Sequence, residues 1–391
     1  MERKGRIAKR VSQFGKSAIH EMTRLSKEID DVAFLSWAKP TSDTPEHVKE
    51  GAIRAIEGGL TAGYSETLGL PALREAIVAK LARDNGVQAS PGEIVVTVGA
   101  IEGLSAAVMA VVDPGDEVIL PTPTYSTHIR QVELAGGKPV LVPLIESDGF
   151  RWDIEATRAA ITPRTRAILY ATPSNPTGTV FDEATQMALG ALARQHGLMI
   201  ITDEAYEYFV YDDHRHFSLA SVPELRENVV GCYTFTKTYA MTGYRVGYAH
   251  AAPDVLAQIA KVHIPFAICA PVVSQYAALA ALEGDQACVA EFREHYLAMR
   301  NLMCERLDRL GHVFEYVKPG GSYLMFPKIV LDGGGVDSKT FCLDLLREAR
   351  VSATPGVAFG PTGESHLRLS FCVPESEIHK AFDRMEARFG A

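Results

Sequence analysis

From residue 94 onward, short runs rich in β-branched residues alternate with helix-length amphipathic stretches, and this alternation leaves few folds open to the chain. Residues 94–98, 117–120, 140–143, 166–171, 198–202, 229–234 and 245–249 read as strands. Strands separated by helix-length segments cannot pair as hairpins; they need crossovers, which place helices on both faces of a mostly parallel sheet. The expected class is therefore α/β, with seven strands in one sheet. Several runs end in polar or glycine-rich turns: Val98 into Gly99, Ala171 into Ser174-Asn175-Pro176, Thr202 into Asp203-Glu204. Open α/β sheets take their ligands beyond the carboxyl ends of the strands, so these turns are where chemistry is expected.

A chain of 391 residues exceeds what one core serves, since single cores stop growing near ~250–300 residues. After Glu283 the texture changes to a long charged helix over 286–310, then short strands near 323–326 and 367–371. Residues 40–45, bounded by Pro40 and Pro45, read as a linker. The expected division is an N-terminal arm with part of a small domain over 1–46, a large domain over 47–285, and a small C-terminal domain over 286–391.

A formal charge of -9 disfavours nucleic acid, whose nonspecific affinity comes from many cations on phosphates. Small-molecule substrates are expected instead. The six cysteines stand singly, with no Cys-x-x-Cys pair, so neither a metal site nor a disulfide framework is indicated and a reducing cytoplasm fits. The apolar stretch 264–282 is broken by Pro265 and Pro271 and reads as a buried helix rather than a membrane span. Arg3, Lys4, Arg6, Lys9, Arg10 and Lys16 make a basic N-terminal arm, read as solvated, with a transit peptide as the alternative.

No phosphate-loop, His-Glu-x-x-His, Gly-x-Ser-x-Gly or strand-following Gly-x-Gly-x-x-Gly motif occurs. The chain instead carries an ordered series: Tyr64, Gly99-Ala100-Ile101, Tyr125, Asn175-Pro176-Thr177-Gly178, Asp203-Glu204-Ala205-Tyr206, Thr234-Phe235-Thr236-Lys237, Arg245 and Arg368. Each element alone is a common turn or strand end. Together, from about residue 20 to the C-terminus, the series resembles the class I and II aminotransferases, the aspartate aminotransferase family of pyridoxal-phosphate fold type I.

The resemblance implies a pyridoxal 5′-phosphate enzyme that moves amino groups between amino acids and 2-oxo acids by a ping-pong mechanism, with 47–285 as the cofactor-binding domain. It makes Lys237 the residue that holds the cofactor aldehyde and later carries a proton. Asp203 is the anion that keeps the pyridine nitrogen protonated. Asn175 and Tyr206 donate to the phenolic oxygen, and Tyr125 stacks on the ring. Gly99, Ala100 and Ile101 offer a turn and backbone amides to the phosphate at a helix N-terminus, completed by Thr234, Arg245 and, from the partner subunit of a homodimer, Tyr64. Arg368 clamps the substrate α-carboxylate, beside Ala38 and Asn175.

Departures from the family pattern bear on the substrate. Ala38-Lys39-Pro40-Thr41 stands where many members have Gly-Glu-Pro-Asp, and Ile101 stands where aspartate-using bacterial relatives often have a lysine. The expected donor is therefore neutral, aromatic or otherwise non-dicarboxylic, unless Lys39 supplies the missing cation. His128 either supports Asp203 or is a helix-surface histidine. A carbon–sulfur β-lyase on the same fold and a cofactor-binding regulatory module are the competing readings.

Overall fold

In the computed structural model, residues 8–12, 14–15 and 18–390 are described. Arg3, Lys4, Arg6 and Lys16 of the basic arm lie outside them. Seven strands form one sheet: β1 (Ile94–Thr97), β2 (Glu117–Thr122), β3 (Lys138–Pro143), β4 (Thr165–Ala171), β5 (Met199–Asp203), β6 (Val229–Thr234) and β7 (Gly247–His250). Their order is β1-β7-β6-β5-β4-β2-β3, and only β7 runs antiparallel to its neighbours. All seven coincide with the runs read from the sequence, within two residues at their ends.

Both faces of the sheet are covered, which is why its strands are apolar at successive positions rather than alternate ones. Ile94, Val96, Ile168 and Ile200 point into one buried cluster. Val95, Ala167, Leu169 and Ile201, their sequence neighbours, point into another. Helices used below are α1 (Glu46–Glu57), α2 (Ala100–Val111), α3 (Ser126–Leu134), α4 (Pro253–Ala267), α5 (Val272–Glu283) and α6 (Ala287–Arg309).

A further buried cluster gathers Val32, Leu35, Tyr296 of α6, Leu324, Leu369 and Phe382. It surrounds a three-stranded antiparallel sheet in which Leu367–Ser370 lies between Leu324–Met325 and Thr354–Pro355. Ala33–Phe34 pairs in parallel with Val351–Ser352, so the segment before Pro40 joins the C-terminal elements.

The stretch 264–282 is not one buried helix. Helix α4 ends at Ala267, Ile268 takes a φ of 63°, and α5 begins after Pro271. Ile264, Phe266 and Ile268 are exposed, whereas the polar Ser274 and Gln275 are buried. Gln275 is accommodated because its amide is bonded on both sides: Oε1 accepts from Leu70 N at 2.7 Å, and Nε2 donates to Ser65 Oγ and Ala270 O, each at 2.9 Å. No helix among the described residues is long and apolar enough to cross a membrane.

Candidate active site

A cavity of about 420 Å³ opens where the carboxyl ends of β5 and β6 and the start of α2 meet the segment 36–39 and the strand carrying Arg368. Lys237 lies just past β6, in the short helix Phe235–Thr238, which Thr234 caps by accepting from Thr236 N. The Lys237 side chain reaches back across the cavity, and its Nζ donates to the carbonyl oxygen of Ala38 at 2.7 Å. The Tyr206 and Tyr323 rings lie 5.8 and 5.5 Å from the ammonium. Burial pushes the Lys237 amine down to about 8; Arg368 and Arg245 push the same way, against Cys372 and Asp203.

Asp203 ends β5. Its carboxylate accepts from His128 Nε2–H at 3.1 Å and from Ala205 N at 3.2 Å. His128 is fully buried on α3, edge-on to the Tyr125 ring at 5.4 Å, and is not a surface histidine. Because a carboxylate only accepts, the bond fixes the proton on Nε2. Tyr206 faces the same cavity, and burial raises its phenol well above the ordinary range.

Arg368 is buried. Its Nη2 donates to the Ser36 carbonyl at 2.8 Å and its Nη1 to Asn175 Oδ1 at 3.2 Å, while the guanidinium carbon lies 5.0 Å from the Phe359 ring centre. Its Nε is buried with no partner among the described residues. An orphaned donor on a buried cation marks a place where an acceptor is expected.

At the opposite wall, Gly99 turns the chain from β1 into α2 with a φ of 74°. A Cβ there would stand 2.7 Å from Arg245 Nη2, so the turn brings the guanidinium against bare backbone. Arg245, itself at φ 53°, is steadied by donating to the Thr242 carbonyl at 3.2 Å. Ala100 and Ile101 open α2 on the cavity.

The structure thus gathers Ala38, Ala100, Ile101, Tyr125, Asn175 and Asp203 in one cleft. Tyr206, Thr234, Lys237, Arg245 and Arg368 complete the set, with Gly99 immediately behind. Tyr64 is not among them: it is 78% exposed and lies away from the cleft of its own chain. Ser36, Trp37, Lys39 and Leu104 also line the cavity, as do Ala205, Thr236 and Thr242. Most are sequence neighbours of motif residues, which was the available signal. One metal-ligand-type trio, Glu204, Glu207 and His216, brings its ligand atoms within 4.8 Å of one another. Its oxygens are already engaged: Glu204 accepts from His216, Thr202 and Ser218, and the Lys80 ammonium sits 2.5 Å from Glu207 as the local cation.

The family model for aminotransferase class I and II matches residues 31–385. The chain is 37% identical to the aspartate aminotransferase of Pyrococcus abyssi over 97% of either chain. It is 36% identical to aromatic-amino-acid aminotransferase 2 of Thermococcus litoralis, again over 97% of each. The solved structure of aspartate aminotransferase from Thermus thermophilus with maleate superposes with a TM-score of 0.91 at 34% identity, covering 98% of this chain and 100% of that one. A seven-stranded, mostly parallel sheet with a lysine, an aspartate and two arginines converging at its strand ends agrees with these likenesses, and the chain belongs to the class I and II aminotransferases of fold type I.

Proposed function

We propose that the cleft binds pyridoxal 5′-phosphate and there moves an amino group from an L-amino acid to a 2-oxo acid by ping-pong turnover. The observation that carries this is the buried Lys237 amine, lowered to about 8, in one cavity with Asp203, Arg245 and Arg368. The donor set fits the cofactor: a reactive amine, a carboxylate for a pyridinium, and a glycine turn with a cation and helix-start amides for a phosphate. When bound, the cofactor supplies an electron sink for negative charge at the substrate α-carbon.

The chain's own residues have separable tasks. Lys237 first anchors the cofactor and, once released, holds and moves a proton at the substrate α-carbon; an amine near pH 8 is poised for both directions. Asp203 holds the proton on the ring nitrogen, and the His128 bond keeps its carboxylate oriented. Asn175 gives its Oδ1 to Arg368, which leaves its Nδ2 hydrogens for the phenolic oxygen beside Tyr206. Arg368 takes the α-carboxylate on its fork, Tyr125 stacks on the ring, and Gly99, Ala100, Ile101, Thr234 and Arg245 form the phosphate cup.

The same reading makes the chain a homodimer with shared sites, in which Tyr64 serves the partner's phosphate. In support, Tyr64 is exposed together with Ile53, Ile56 and Leu60 on or just after α1, and Ile264, Phe266 and Ile268 are exposed at the end of α4. Apolar side chains left in water this way invite a second copy. We also keep the division into 1–46 and 286–391 as a small domain and 47–285 as a large one, supported by the cluster that unites Val32, Leu35 and Phe382. All six cysteines are free thiols, which suits the cytoplasm.

The donor is a neutral or aromatic amino acid, because Ile101 offers no charge to a second carboxylate. Lys39 favours a second reading: it is exposed, lines the cleft and its ammonium has no partner among the described residues, so it is free to meet a dicarboxylic substrate. The relatives named for aspartate and for aromatic amino acids span the same choice. Single-turnover rates of the holoenzyme with aspartate, glutamate, alanine, phenylalanine and arginine decide it, with phenylalanine or alanine expected to lead. Aspartate leading by tenfold overturns the donor assignment, and release of pyruvate and thiol from an S-substituted cysteine without any acceptor overturns aminotransfer.

A further inference from the structure

Two residues before Arg368, on the same face of the extended chain, lies a buried histidine. His366 is 2% exposed and offers Nδ1 to the Glu364 carbonyl at 2.9 Å and Nε2 to Glu146 Oε1 at 3.3 Å. A carbonyl and a carboxylate are both acceptors, so the ring is held between an oxygen on either side. Its ring stacks on Phe326 at 4.8 Å and 6°. Phe326 meets Phe359 edge-on at 5.8 Å, and Phe359 in turn carries the Arg368 guanidinium. The His366 ring and the Arg368 guanidinium therefore rest on one aromatic ladder.

The backbone of His366 is fixed as firmly. Its carbonyl accepts from Gly356 N at 2.8 Å, and Leu367 N donates to the Pro327 carbonyl at 3.0 Å. Glu146 comes from the turn 146–148 that follows β3, and it also accepts from Lys328 Nζ at 3.2 Å. Glu315 lies across from Lys328 in its two-stranded ladder. The Glu364 carboxylate is turned to the Ser338 and Ser365 amides.

We propose that the His366–Glu146 pair is a positioning device for Arg368, which ties the root of its strand to the turn at 146 and so holds the guanidinium where it takes the substrate carboxylate. His366 and Glu146 touch no reacting atom, so they are positioning residues, and the proposal rests on the reading of Arg368 as the carboxylate clamp. Removing either partner leaves the other without its hydrogen bond in a largely buried place, an unmade bond that the strand relieves by shifting. The His366 hydrogen bond is the main reason the Glu146 carboxyl is lowered to about 2, so the anion persists throughout the working range.

The test compares wild type, His366→Gln, Glu146→Gln, Glu146→Asp and Arg368→Ala holoenzymes, reading KM and kcat and the calorimetric affinity for pentanoate as an unreactive carboxylate. Glu146→Gln, a change at a half-buried turn that the fold should tolerate, should raise KM and lower pentanoate affinity about fivefold at constant kcat. Glu146→Asp should restore part of that affinity, and His366→Gln should lose as much as Glu146→Gln. Unchanged KM and pentanoate affinity in Glu146→Gln and His366→Gln, or kcat changing in place of KM, overturns the device. Full pentanoate affinity in Arg368→Ala removes the clamp and the device together, whereas its loss there alone leaves the clamp and removes only the device.

Discussion

The Lys237 ammonium donates to the carbonyl oxygen of Ala38 at 2.7 Å, and Tyr323 OH donates to the same oxygen at 3.2 Å. The neighbouring carbonyls are engaged too: Ser36 accepts from Arg368, and Lys39 from the Cys372 thiol at 3.3 Å. The segment 36–39 is thus held to the cleft through its backbone, independent of its side chains. This explains how Ala-Lys can stand where relatives of the family have Gly-Glu without dismantling the site.

The buried amine carries a pH signature. A lysine lowered from 10.5 to about 8 on folding releases its proton earlier in the native state than in the unfolded one. Between those values the unfolded chain binds more protons, so stability of the cofactor-free protein should rise with pH from 8 toward 10.5. Lys237→Met should abolish that rise and stabilise the cofactor-free protein at pH 7 by roughly 1–3 kcal/mol, the cost of a buried ammonium. Urea unfolding at several pH values measures it, and borohydride reduction of the wild-type holoenzyme should place the adduct on Lys237. An adduct on another lysine, or equal slopes in the two proteins, would refute the assignment.

Asp203 should set electronics more than affinity. Asp203→Ala should lower kcat by well over tenfold, about 1.4 kcal/mol or more, with cofactor occupancy nearly unchanged. His128→Gln should lower kcat less, because it frees the carboxylate without removing it. Stopped-flow half-reactions beside cofactor titration separate the two effects; loss of occupancy without loss of rate would make Asp203 a binding residue only.

The sheet was legible because strands buried on both faces leave uninterrupted β-branched runs, and the cofactor residues because they sit at the ends of those runs. Three features were not. The exposed end of α4 reads as core from composition, since hydropathy does not say whether apolar side chains face the chain's own interior or another molecule. Gln275 is polar, yet it is buried by partners 205 and 210 residues away that no local pattern announces. Trp37 reaches the cleft beyond Ala33–Phe34, which pairs with Val351–Ser352, a contact spanning most of the chain.

Gly99 gives a test of the phosphate cup that removes no charged group. An alanine there must adopt a φ near 74° and put a methyl 2.7 Å from Arg245 Nη2, so the guanidinium must retreat. Gly99→Ala should raise the cofactor dissociation constant at least tenfold while kcat at saturating cofactor stays within a fewfold. Equilibrium dialysis against pyridoxal phosphate reads the first and steady-state rates the second. Unchanged affinity would show that Arg245 does not need its present position.

The last expectation concerns the exposed Tyr64, which cannot serve the cleft of its own chain from where it lies. The loop that carries it is not free to fold inward: Ser65 Oγ accepts from Gln275 Nε2, Leu70 N donates to Gln275 Oε1, and Val96 N donates to the Leu68 carbonyl, so the loop is pinned to α5 and β1. A phosphate contact by Tyr64 must then be made to a second copy, across the face where Ile53, Ile56 and Leu60 are also exposed. Mixing Tyr64→Phe protomers with Lys237→Ala protomers should restore one wild-type site in each hybrid dimer, because one chain keeps the lysine and the other keeps the phenol. Activity should therefore rise above the sum of the separate variants, toward a quarter of wild type at equal mixing and random exchange, in step with subunit exchange followed by native mass spectrometry. Exchange without any gain in activity would assign the Tyr64 face a purely structural role and leave the phosphate cup to residues of one chain.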